Sequence, residues 1–104
     1  PPNFNTTIFI GEVDNKTLGF VAFAKHEITW LYVDPKFFGN GYGRRLLELV
    51  LEKALRPTKV TVLNNNYRAI SLYKSIGFNI ISKSKGKIPL TEIEATGYKM
   101  EKIN

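Results

Sequence analysis

Three glycines spaced by a single residue, in Gly39-Asn40-Gly41-Tyr42-Gly43, stand directly before a stretch with helical periodicity. Residues without a Cβ let the backbone fold close to a bulky anion. The helix that follows turns its unpaired N–H groups and the positive end of its dipole to the same point. Phosphate groups bind there without needing charged side chains. Arg44 and Arg45 fall in the first helical turn, where cations oppose the dipole, a placement that makes sense if an anion completes the site. An ordinary tight strand-to-helix turn would use the same glycines. Two known phosphate motifs do not fit. A P-loop ends in Gly-Lys-Ser/Thr, and here Gly43 is followed by Arg44-Arg45; a dinucleotide fingerprint needs a carboxylate after the next strand, and Leu63 is followed by asparagines.

A second constellation is Asn66-x-x-Ala69-x-x-Leu72-Tyr73-x-x-x-Gly77-Phe78. On a helix, Ala69, Leu72, Tyr73 and Ile76 form one stripe, Asn66 caps the start and Gly77 stops the end. Tyr73 on that stripe is a core aromatic with its hydroxyl at the rim.

The elements that must position these residues follow from hydrophobic periodicity. Residues 7–13 and 18–25 are β-branched and aromatic runs around a polar Asp14–Thr17 loop, which predicts a hairpin. Residues 27–33 predict a third strand, ended by Asp34-Pro35. Arg44–Leu55 predicts a helix, with Leu47, Val50, Leu51 and Ala54 on its apolar face and Pro57 beyond it. Residues 59–63 predict a short buried strand, 67–76 a second helix, Phe78–Ser82 a strand, Ser84–Thr91 a flexible loop with Gly86 and Pro89, and Thr96–Lys102 a last strand. The order is β-β-β-α-β-α-β-β, an α/β (α+β) fold in a single domain over residues 1–104.

Composition bounds the function. With 15 Lys and Arg against 9 Asp and Glu in 104 residues, the formal charge is +6, which suits an anionic partner. There is no cysteine and one histidine, so disulfides, thiolate or histidine-cluster metal sites and a Cys nucleophile are not expected. Apolar runs are only a few residues long, and no leader pattern opens the chain, so the expectation is a cytoplasmic protein with no membrane partner.

Together the two constellations resemble the GNAT superfamily of acetyl-CoA-dependent N-acetyltransferases. The family's acyl-CoA signature is Arg/Gln-x-x-Gly-x-Gly/Ala, and Phe38 to Gly43 matches its glycine positions. Its downstream pattern, Asn-x-x-Ala-x-x-Leu/Phe-Tyr-x-x-x-Gly-Phe, is met from Asn66 to Phe78 at every named position, and Leu31-Tyr32-Val33-Asp34-Pro35 is similar to the usual entry to the loop. The resemblance covers residues 7–101. Phe38 departs from the family's Arg or Gln, a charge that Arg44 or Arg45 could supply. The family also has a strand and usually two helices ahead of the position of Thr7, so the chain reads as minimal or truncated there.

The resemblance implies acetyl-CoA as cofactor and a primary amine as acceptor; with no cysteine to carry the acetyl group, direct attack in a ternary complex is expected. It implies a strand that splays from its neighbour, with the main chain of Leu31, Tyr32 and Val33 along the pantetheine arm. The amides of Gly39, Asn40, Gly41, Tyr42, Gly43 and Arg44 would hold the pyrophosphate, and Asn66 would contact the arm. Tyr73 would be the general acid for the departing thiolate, since a phenol of pKa ~10 is protonated at neutral pH. Glu27, 11 residues before Phe38 on the entering strand, is the candidate base, with Glu12 and His26 in reserve. The alternative is a catalytically silent acyl-CoA-binding or interaction module. A nucleic-acid partner is disfavoured, because the Lys and Arg residues are dispersed and the aromatics lie on apolar strand faces. Lys83, Lys85 and Lys87 read as a solvated loop, and an uncovered edge strand would favour a homodimer.

Overall fold

The computed structural model describes residues 6–87 and 90–104. Its elements are β1 (Thr7–Val13), β2 (Lys16–Ala24), β3 (Glu27–Val33), a short 3-10 turn (Pro35–Phe37), α1 (Tyr42–Leu51), β4 (Thr58–Leu63), α2 (Tyr67–Ile76), β5 (Asn79–Lys87) and β6 (Glu94–Lys102). They build one six-stranded sheet in the order β1-β2-β3-β4-β6-β5. Every neighbouring pair is antiparallel except β3 and β4, which run parallel. This is the expected element order, laid out in a mixed, mainly antiparallel sheet.

Both helices contribute to the core on one face of the sheet. Leu46, Leu47 and Val50 of α1 and Ile70 and Tyr73 of α2 join Val21, Phe23, Ile28, Val60, Val62, Phe78 and Met100 in one buried cluster. The other face of β1–β3 carries Ile8, Ile10, Trp30 and Tyr32 exposed, with the Phe20 ring 6.5 Å from Trp30 and 5.9 Å from Tyr32. Gly19 is where β2 and β3 approach too closely for any side chain: a Cβ there would overlap the Tyr32 carbonyl oxygen.

Several boundaries differ from the sequence expectation: β2 begins at Lys16 rather than residue 18 and α1 at Tyr42 rather than Arg44, and the larger differences lie at the end of α1 and around β5. Helix α1 ends at Leu51, short of Leu55. Its last carbonyls are taken by tighter turns, with Lys53 N–H and Ala54 N–H both donating to Val50 O, and by Arg56, whose guanidinium donates to Leu51 O and Ala54 O at 3.0 Å each. Residues 84–87 are strand, where a loop was expected. They complete β5, with Lys83↔Tyr98, Lys85↔Thr96 and Lys87↔Glu94 in register, and β6 correspondingly begins at Glu94. Exposed along its whole length, β5 is held by main-chain pairing to β6, and its lysines suit an open sheet edge. Lys87 forms an ion pair with Glu92 at 2.6 Å. Pro89 of the expected loop lies outside the described residues.

Candidate functional site

Strands β3 and β4 begin side by side and then part. Their ladder holds Glu27↔Lys59 and Ile28↔Val60 and stops there. A local cause lies in β3, where Phe23 of β2 faces Ile28 and Ala22 faces Trp30, leaving Thr29 as an extra residue. One extra residue bends and twists its strand. The Thr29 hydroxyl donates to Ala22 O at 3.2 Å, tying the bulge down. Into the opening falls a cleft of about 230 Å³. Residues Ile28–Leu31 and Val60–Leu63 form its sides, and Asn66, Ala69 and Tyr73 of the α2 segment close it from the helix face.

A second cleft, of about 830 Å³, lies beyond the end of β3 and shares Leu31, Asn66 and Ala69 with the first. Tyr32 and Val33 continue the wall from Leu31, and Gly39, Gly41, Gly43 and Arg44 bring the glycine loop and the start of α1 to it. Gly39 and Gly41 have φ of +83° and +77°, a left-handed conformation that glycine adopts without strain. A Cβ built on either would meet nothing within 4 Å, so the loop backbone faces open space. Gly41 is also the N-cap of α1, with no side chain to satisfy the first N–H groups. Bare amides, a helix N-terminus and vacant room beside them fit a diphosphate. Asn40 takes a local part, its Nδ2 donating to Phe37 O at 3.1 Å. The Tyr42 ring packs edge-on against Phe37, 6.2 Å between centroids.

Asn66 caps α2, its Oδ1 accepting from Ala69 N–H at 3.2 Å. With the oxygen committed to the helix, the Nδ2–H donors are what Asn66 can offer a ligand. Tyr73 is buried, 5.4 Å from Phe78 between ring centroids, and also lines the cleft between β3 and β4. Burial pushes its phenol up from 10.0 to about 12, because the phenolate would lose its hydration. It therefore holds its proton throughout the neutral range.

Glu27 stands at the closed end of the opening. It is exposed, lines neither cleft, and by strand alternation faces away from buried Ile28, toward the side that carries Trp30. His26 lies in the β2–β3 turn, its Nδ1 3.1 Å from Pro57 O, and Glu12 lies on edge strand β1; neither lines the clefts. Arg45 is exposed and outside the clefts, while the Arg44 guanidinium donates to Ser75 Oγ at 2.6 Å. Sequence reasoning passed over Arg68, whose guanidinium carbon sits 4.0 Å over the centre of the Phe38 ring in the larger cleft.

The sequence pattern that describes the acetyltransferase (GNAT) domain matches residues 4–80. The chain is 37% identical to an uncharacterized N-acetyltransferase of Archaeoglobus fulgidus, over 65% of this chain and 56% of that protein. It is 32% identical to the peptidyl-lysine N-acetyltransferase YjaB of Escherichia coli, over 68% of this chain and 48% of that protein. It thus spans about half the length of these relatives. In fold it is similar to a Bacillus anthracis acetyltransferase solved with acetyl coenzyme A, with a TM-score of 0.82 at 21% identity, over 98% of this chain and 64% of that one.

Proposed function

Because this chain belongs to the acetyltransferase (GNAT) family, we propose that it transfers the acetyl group of acetyl-CoA to a primary amine of a small molecule or peptide. The observation that carries this reading is the junction of the two clefts at Leu31, Asn66 and Ala69, with bare glycine amides in one and a buried phenol in the other. In this reading the amides from Gly39 to Arg44 hold the diphosphate, and the main chain of Leu31–Val33 and the Asn66 amide line the extended arm. Acetyl-CoA supplies an acyl group already activated as a thioester.

Helix α2 closes the opening from one side, so the amine enters from the other, past Trp30, Thr61 and Leu63. Beyond Leu63 a hollow of about 450 Å³ offers room for the rest of the acceptor. Glu27, on that side, takes the amine proton through water, and Tyr73 gives its proton to the sulfur as the carbon–sulfur bond breaks and the carbon–nitrogen bond forms. No cysteine in this sequence can carry the acetyl group covalently, so attack is direct. A cytoplasmic setting and pairing of two copies through an edge strand of the sheet belong to the same proposal.

Calorimetric titration with acetyl-CoA, and separately with a mixed-sequence oligonucleotide, tests the cofactor half of the reading. Saturable binding of acetyl-CoA with none of the oligonucleotide is expected. Oligonucleotide binding without acetyl-CoA binding would turn the positive charge over to nucleic acid.

A further inference from the structure

The loop that receives the phosphates has no charged side chain at its head. Phe38 stands there, and Arg68 from the first turn of α2 lies over its ring. We infer that Arg68, propped on Phe38, is the cationic ligand for the phosphate groups of acetyl-CoA, an inference that rests on the acetyl-CoA reading above.

Placement is the first argument. Arg68 and Phe38 line the same cleft as Gly39, Gly41 and Arg44. The other two arginines near the loop are less suited. Arg45 does not line the cleft, and Arg44 is drawn to Ser75, whose Oγ in turn donates to Leu72 O at 2.7 Å.

The second argument is that the donors of Arg68 are unspent. At 4.0 Å the guanidinium carbon lies over the ring centre, a cation–π contact that offers its N–H groups no oxygen or nitrogen acceptor. Among the described residues Arg68 makes no hydrogen bond and no carboxylate pairs with it. A planar fork with free N–H groups matches a phosphate, and fixing it on a ring beforehand reduces the ordering lost on binding.

Third, the helix ends show a shared bias. Neither α1 nor α2 has an acidic residue in its first turn, and each carries arginine there, against its own dipole. Two positive helix ends with Arg44 and Arg68 on one cleft form a site whose charge is completed by an anion.

The test measures binding of acetyl-CoA, 3′-dephospho-acetyl-CoA and S-acetylpantetheine to the parent and to Arg68→Ala, Phe38→Leu and the double variant. Arg68 and Phe38 are exposed, so melting temperatures should stay at the parental value. Arg68→Ala should weaken acetyl-CoA by roughly 5–20-fold and flatten its salt dependence, with S-acetylpantetheine unaffected. Phe38→Leu should cost roughly 2–5-fold in the parent and nothing once Arg68 is gone. A loss confined to acetyl-CoA assigns Arg68 to the 3′-phosphate; an equal loss with the dephospho form assigns it to the diphosphate. Parental affinity in Arg68→Ala, or an equal loss for S-acetylpantetheine, overturns the assignment while leaving the acetyl-CoA reading intact. A parent protein that binds none of the three overturns both.

Discussion

Tyr73 belongs to the core and to the cleft at once, and the two roles are separable by one oxygen. Tyr73→Phe keeps the ring against Phe78 and should cost about 1 kcal/mol at most. Loss of the proton donor should slow single-turnover transfer roughly 10²–10⁴-fold, with acetyl-CoA binding unchanged. A stable variant with parental turnover would reduce Tyr73 to a packing residue. Burial also fixes a pH dependence. The folded phenol titrates at about 12, above its ordinary 10.0, so its contribution to stability is complete below pH 10 and is lost as pH rises toward 12. Denaturant titrations should show a smaller alkaline loss of stability in Tyr73→Phe than in the parent. Glu27→Gln keeps shape and removes the proposed base, so transfer should slow mainly at neutral pH and below. Superimposable pH–rate profiles would make Glu27 ordinary surface. Tyr73 was named by the pattern from Asn66 to Phe78 and lines the cleft, whereas Glu27, named by its offset from the glycine loop, lines neither cleft. Arg68 was not legible, because no periodicity announces a ring contact between positions 30 residues apart.

At the level of elements, the site is made by what the strands stop doing. β3 and β4 share two paired positions, and the bulge at Thr29 accompanies their divergence. Hydrophobic runs revealed both strands but could not reveal the bulge, since a register slip depends on the partner strand. The same limit explains β5, where Lys83-Ser84-Lys85-Gly86-Lys87 buries nothing and takes its conformation from β6. The glycine loop was the clearest element in the sequence, and its geometry sharpens what a substitution does. A Cβ at Gly41 meets no protein atom within 4 Å, so the cost of Gly41→Val to folding comes chiefly from the left-handed φ, on the order of 1–2 kcal/mol and somewhat more for a branched side chain. The added side chain would stand in the open space left for a ligand, so a folded variant that has lost acetyl-CoA affinity is expected by calorimetry. An unchanged dissociation constant would make the loop a mere turn. Gly19→Ala should do the reverse. Its Cβ would press on the Tyr32 carbonyl of the neighbouring strand, so thermal unfolding should report a loss of about 1–3 kcal/mol, with the glycine loop untouched.

Across the whole molecule, the side proposed for acetyl-CoA is built with more detail than the side proposed for the amine. Glycine loop, arginines, Asn66 and Tyr73 converge from α1, α2 and the end of β3, whereas the opposite face offers Trp30, Tyr32 and isoleucines open to solvent. No helix among the described residues is long and apolar enough to cross a membrane. The excess of six positive charges fits a polyanionic cofactor at the loop as well as it fits any larger anion, so charge alone did not choose the function. The choice rests on acetyl transfer itself. Its most direct test is release of free CoA thiol from acetyl-CoA by the parent protein, followed in the presence and absence of a panel of primary amines and lysine-containing peptides. Thiol release that depends on an amine, with an equal amount of acetylated amine by mass spectrometry, is the predicted result. Tight acetyl-CoA binding with no amine raising thiol release above background hydrolysis would contradict it, and would leave a cofactor-binding module without turnover.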